Sequence, residues 1–198
     1  MKMIGLFLLI ASMGSPVFSQ YNWELVKDKN GIKIFTAKQE GSKHKLVKVS
    51  ALLPGKIEKV EQLLQTPESN TKWIYKTKES YVVKRKGKEE IINYSSISLP
   101  WPATDRDLVA KSTFYYHADK SFKVILDGVS GMIEEKKGYV RVPYFHNTWE
   151  VKSDGKGNVA IDYFLQIDPG GSLPAWVINL FVAKGPYETF NNLAALIK

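Results

Sequence analysis

From Tyr75 to Asp168 the chain reads as a succession of strands: apolar and β-branched runs broken by short turns rich in Gly, Asp and Ser. The runs are Tyr75–Lys86, Glu89–Leu99, Arg106–His117, Ser121–Ser130, Tyr139–Lys152 and Asn158–Asp168. Two more strands precede them, Ile32–Gln39 after an Asn-Gly turn and Lys45–Leu53 before Pro54-Gly55. Between these groups Ile57, Val60 and Leu63-Leu64 recur at spacings of three and four, which predicts a helix over Lys56–Gln65; Ser69–Ile74 reads as a further helical turn. The end is helical again, Pro174–Ala183 and then Pro186–Ile197. Many antiparallel strands with a closing helix predict an α+β fold, a curved sheet packed on that helix.

The two halves of the last helix differ. Phe190, Leu193, Ala194 and Ile197 form one core stripe, whereas Ala175–Ala183 is apolar nearly all round and is interrupted only by Asn179. A helix apolar on every side is expected to be covered on every side, with a kink or break at Pro186. The strands carry their own hint. In Arg106–Tyr116, Lys111 marks the solvent face, so Leu108, Ala110, Ser112, Phe114 and Tyr116 point inward. In Tyr139–Lys152 the same reasoning turns Phe145, Asn147, Trp149 and Val151 inward. Small and polar residues among aromatics leave room for an apolar cavity, or they bond neighbouring backbone within a filled core.

Composition narrows this picture. The chain has 198 residues and no cysteine, so packing alone must hold it. Residues 1–19 have the form of an export signal: Lys2, an apolar run from Ile4 to Met13, then Val17-Phe18-Ser19. The expected mature chain is a single domain over 20–198, exported, soluble, and periplasmic or secreted. Net charge is +8, with Lys72, Lys76, Lys78, Lys84, Arg85, Lys86 and Lys88 close together. Such lysines guard an exposed sheet edge, or they attract the protein transiently to an anionic membrane. A nucleic-acid partner is not expected, since no binding motif accompanies the charge.

Pro100-Trp101-Pro102, Asp105-Arg106-Asp107, and Asp168-Pro169-Gly170-Gly171 followed by Pro174, Trp176 and Asn179 stand in that order. Together they resemble the START domain, the steroidogenic-acute-regulatory-protein-related lipid-transfer family, over roughly Trp23 to Leu196. The resemblance implies a helix-grip fold, with a curved antiparallel sheet around a long C-terminal helix and an internal hydrophobic cavity that holds one lipid, sterol or other hydrophobic molecule. It implies that the Trp101 loop lies by the cavity mouth, its tryptophan a lid or wall residue or else a plug packed on the helix, with Trp176, Leu180 and Phe181 of the helix beside it. It also implies that a buried acid–arginine pair of sterol-binding relatives is replaced here by Asn93 and Ser112. The ligand-contact candidates are therefore Asn93, Trp101, Ser112, Phe114, Phe145, Asn147, Trp149, Trp176, Leu180 and Phe181. Asp105, Arg106 and Asp107 are expected to anchor the loop, and the buried guanidinium of Arg106 to find a carboxylate.

Catalysis has little to stand on. His44, His117 and His146 lack metal-ligand spacing, and there is no nucleophile elbow or cysteine. His146 near Tyr144 or Tyr163 would be an acid–base pair, though a surface histidine is the simpler reading. No catalytic residue, metal or cofactor is assigned. The alternative function is a cyclase- or hydrolase-like enzyme acting on a hydrophobic molecule in the same cavity.

Overall fold

A computed structural model describes residues 21–39, 41 and 45–198. The expected export segment and His44 lie outside the described residues. The strands are β1 (Glu24–Lys29), β2 (Ile32–Lys38), β3 (Lys45–Pro54), β4 (Thr77–Lys86), β5 (Glu90–Ile97), β6 (Asp105–Tyr116), β7 (Phe122–Gly128), β8 (Tyr139–Arg141), β9 (Tyr144–Ser153) and β10 (Asn158–Asp168). They form one sheet in the order β1-β2-β3-β10-β9-β7-β6-β5-β4, antiparallel except for β8, which pairs parallel with β6. Two short helices, α1 (Ile57–Leu64) and α2 (Asn70–Trp73), join β3 to β4. The C-terminal helix runs as α3 (Ala175–Asn179), a π-helical turn over Leu180–Lys184, and α4 (Gly185–Leu196). This is the α+β architecture expected, a curved antiparallel sheet with a long closing helix.

Alternation decides which face is inside. One row of inward positions runs Ile91, Ser112, Leu126, Asn147, Leu165, Val47 across β5, β6, β7, β9, β10 and β3. Towards the Gly55 end of the sheet the concave face is filled. There Tyr187, Phe190 and Leu193 of α4, with Ile197 at its C-terminus, pack on β2, β3, β9 and β10. The Ile197 carbonyl accepts the Lys56 N–H at 2.8 Å, which fastens the chain end to the start of α1.

Pro186 does not break the helix. Proline has no N–H to give the carbonyl four residues back, and its ring crowds that carbonyl. The preceding turn widens instead: the Gly185 N–H reaches the Leu180 carbonyl, five residues back, and the helix continues. Nor is the apolar first half covered on every side. Val177 is buried, but Trp176 is 51% exposed, and Ala175 and Asn179 are exposed as well. This segment lies over the part of the sheet that side chains do not fill.

Candidate functional site

Between the sheet and the α3–π segment lies an apolar pocket, with about 260 Å³ open to the centres of water-sized molecules. Its floor is sheet: Leu108, Ala110 and Ser112 of β6, Phe145, Asn147 and Trp149 of β9, and Tyr163, Leu165 and Ile167 of β10. Val177, Ile178, Phe181 and Val182 form its roof. One end is an aromatic box. Trp149 stacks on Phe190 with centroids 5.3 Å apart and takes the edges of Tyr163 at 4.9 Å and Trp73 at 6.1 Å. Burial pushes the Tyr163 hydroxyl pKa well up, and the nearby Asn147 amide only partly offsets this, so it stays a neutral phenol. The β4–β5 wall is polar but uncharged. Asn93 donates to the Ser95 hydroxyl at 3.1 Å, Ser95 and Ser80 share a hydrogen bond of 2.9 Å, and Asn70 donates to Ser80 at 3.2 Å. The other end is bordered by Lys45, Leu99, Pro169 and Leu173.

At that end two sequence motifs meet. Asp168 accepts the Gly170 N–H at 2.9 Å, which closes a tight turn. Gly170 has φ +71°, and an added Cβ would lie 3.0 Å from Pro143 Cδ, so both conformation and space call for glycine. The turn aims two carbonyls at Arg106. Nε donates to Pro169 O at 2.8 Å, Nη2 to Gly170 O at 2.8 Å, and Nη1 to Thr104 O. This corrects one expectation: the buried guanidinium is held by three backbone carbonyls rather than by a carboxylate. Burial lowers its pKa, and neighbouring Asp105 raises it only in part. The carboxylates of the triplet go elsewhere. Asp107, fully buried, takes a two-pronged bond from Arg141 at 2.8 and 3.0 Å. Asp105 accepts the Leu99 N–H at 2.9 Å and pairs with Lys78 at 2.8 Å. The triplet thus braces the base of the Pro100–Thr104 loop, which contains a cis Trp101–Pro102 bond.

Residues 15–198 match the family model of the START domain. The chain belongs to the START domain family. An uncharacterized protein of Pseudomonas aeruginosa is 32% identical over 172 residues, 87% of this chain and 85% of its own. The phosphatidylcholine transfer protein of Mus musculus is 24% identical over 180 residues, 88% of this chain and 83% of its own. Among solved structures, a STAR-related lipid transfer protein from Xanthomonas axonopodis superposes with TM-score 0.79 at 28% identity, covering 87% of this chain and 97% of that one.

The START sheet brings Asn93, Ser112, Phe145, Asn147 and Trp149 to the pocket, with Phe181 above them. Four other ligand candidates do not line it. Phe114 faces inward but lies further along β6, in the filled core with Phe122 and Val124. Trp101 is 89% exposed at its loop tip, and Trp176 and Leu180 stand off the lining. The loop touches the pocket border through Leu99 and is braced at its base by Asp105, while Trp101 at its tip stands outside the lining. His146 points out of the sheet, 2.7 Å from Asp127, so it forms no pair with Tyr163 in the pocket. Sequence reasoning missed Trp73, Asn70 and Ser95. Ser95 was legible, because it alternates with Asn93 on β5; Trp73 sits on a four-residue helix too short to show any periodicity.

Proposed function

We propose that this START domain carries one lipid or similar hydrophobic molecule in the pocket, outside the cytoplasm, between membrane surfaces. The observation behind the reading is an unfilled apolar space between sheet and helix, with polar groups gathered on one wall. The ligand enters between the Leu99 side of the Trp101 loop and the α3–π segment. Trp176 and Trp101, both exposed near that end, rest in the interfacial layer of a membrane, where amphipathic indole rings settle. The exported state rests on the form of residues 1–19, and cleavage near Ser19 gives a chain starting at or near Gln20, which mass measurement of protein from its native host tests.

Ligand binding is tested by native mass spectrometry of the purified protein, with extraction of whatever it carries. The expected result is a one-to-one complex with a hydrophobic molecule. Ala110→Phe, placed on the pocket floor, should exclude that molecule while the protein still unfolds cooperatively. A protein that stays empty after exposure to mixed lipid vesicles, or an Ala110→Phe variant that binds as before, overturns the reading.

A further inference from the structure

Among the described residues that border the pocket two are charged, Lys45 and Arg106; both are cations, and no carboxylate joins them in the lining. They stand at one end. Lys45 opens β3 opposite Ile167 of β10, and Arg106 donates to the carbonyl of Pro169, two residues further along that chain. The direction of Lys45 follows from its strand. It alternates with Val47 and Val49, both fully buried, so its side chain leaves β3 on the concave face. The residue is partly buried. A lysine turned to an apolar concave face needs either water or an anion for its ammonium, because desolvating an unpaired charge is costly.

The surroundings do not cancel this charge. Arg106 is bonded to three backbone carbonyls, which satisfy its donors without neutralising it. The two aspartates beside it in sequence are engaged by other cations, Asp105 by Lys78 and Asp107 by Arg141. Lys45 has no carboxylate partner among the described residues. The opposite end of the pocket is of another kind, an uncharged box of Trp149, Phe190, Tyr163 and Trp73. The pocket is therefore graded along its length, from aromatic at one end to positive at the other. Attraction between unit charges grows as water is excluded, so an anion at a partly buried ammonium gains more than one at an exposed lysine. A cationic head at that end would be repelled, and a neutral one would leave the ammonium without a counter-charge.

We infer that the pocket takes an anionic lipid tail first, with its aliphatic part towards Trp149 and its carboxylate or phosphate held by Lys45 at the Leu99 end. The inference rests on the lipid-carrier reading above and adds the charge of the head and the direction of the ligand. The test measures binding of three probes with one oleoyl chain each to the purified protein at pH 8, below their aggregation concentrations: oleate, oleoyl lysophosphatidate and monooleoylglycerol. At least one of the two anions should bind about tenfold more tightly than the neutral probe, since a charge-assisted contact is made only with the anion. Whichever anion binds more tightly tells carboxylate from phosphate. Lys45→Met keeps an unbranched stem without the charge and should bind anionic and neutral probes alike. Lys72→Met removes the same charge from outside the lining and should keep the preference. Monooleoylglycerol binding as tightly as both anions, which would mean that Lys45 only reaches into water, overturns the inference and leaves the carrier reading standing. So does a preference that survives Lys45→Met, or one that both variants lose equally. A protein that binds none of the three probes sinks the carrier reading itself and this inference with it. Should Lys45→Met not fold, the wild-type comparison of anionic and neutral probes alone decides.

Discussion

Arg106 joins two stretches of chain more than sixty residues apart by bonds to their backbone, so its contribution lies in the shape of its guanidinium as much as in its charge. Arg106→Ala leaves three carbonyls without their donor and should cost about 3 kcal/mol in urea unfolding. Arg106→Lys keeps the charge but not the planar fork, and should still lose about 1–2 kcal/mol. Equal stability of the lysine variant and the wild type would show that charge alone suffices. Asp105 gives the same region a pH response. Burial pushes its pKa up, but Lys78 and the Leu99 N–H outweigh this and hold it below its ordinary value of 3.8. A carboxylate depressed by folding contributes stability that is fully present above the unfolded value and lost as pH falls through the folded one. The Pro100–Thr104 loop should therefore keep its resistance to proteolysis down to about pH 4 and lose it below. In Asp105→Asn the loop should be loose already at neutral pH, with no acid step left to observe.

Among the elements, the long strands and the helical end were legible because each carries a strong period. β1 was not. Its residues Glu24–Lys29 are mostly exposed, so an edge strand of this kind has no buried face to mark it, although the Asn30-Gly31 turn that joins it to β2 was visible. Pro143 divides what read as one strand over Tyr139–Lys152 into β8 and β9, and the parallel pairing of β8 with β6 has no local signature. The site was readable to the extent that strand alternation points side chains inward. Its depth was not, because where the filled core ends and the pocket begins depends on how far α4 reaches over the sheet. Phe114 and Ser112 share a face of one strand and fall on opposite sides of that line. The same division within the C-terminal helix leads to a prediction. α4 buries Tyr187, Phe190 and Leu193, whereas the stretch from Ala175 to Lys184 buries only Val177 and roofs an unfilled space. Local opening follows contact density. Amide hydrogens of residues 178–184 should exchange at least tenfold faster than those of 190–196, and ligand should slow the first set selectively. Uniform protection along the helix would rule this segment out as the way in.

At the scale of the whole molecule, the exposed lysines stand at different distances from the pocket. The basic strip is two groups. Lys72 and Lys76 are exposed beside Trp73, Tyr75 and Thr77, which border the pocket. Lys84, Lys86 and Lys88 are exposed at the far end of β4, an edge strand, where they also discourage sheet-to-sheet pairing. The two ends are about 25 Å apart at ~3.3 Å per residue, beyond the ~8 Å over which charges act in physiological salt. Of the remaining strip, Lys78 is engaged by Asp105 and Arg85 by Gln65. If the protein meets anionic membranes with its pocket end, the first group sets the encounter and the second does not. Each basic residue near such a surface is worth about 1 kcal/mol. Lys72→Glu with Lys76→Glu should therefore slow lipid transfer to anionic vesicles about tenfold or more, and leave transfer to zwitterionic vesicles nearly unchanged. Lys84→Glu with Lys86→Glu makes the same change in net charge and should have much less effect. Added salt should slow the wild type towards the rate of the first variant. Equal slowing by the two pairs would mean that net charge, not an oriented surface, brings the protein to the membrane.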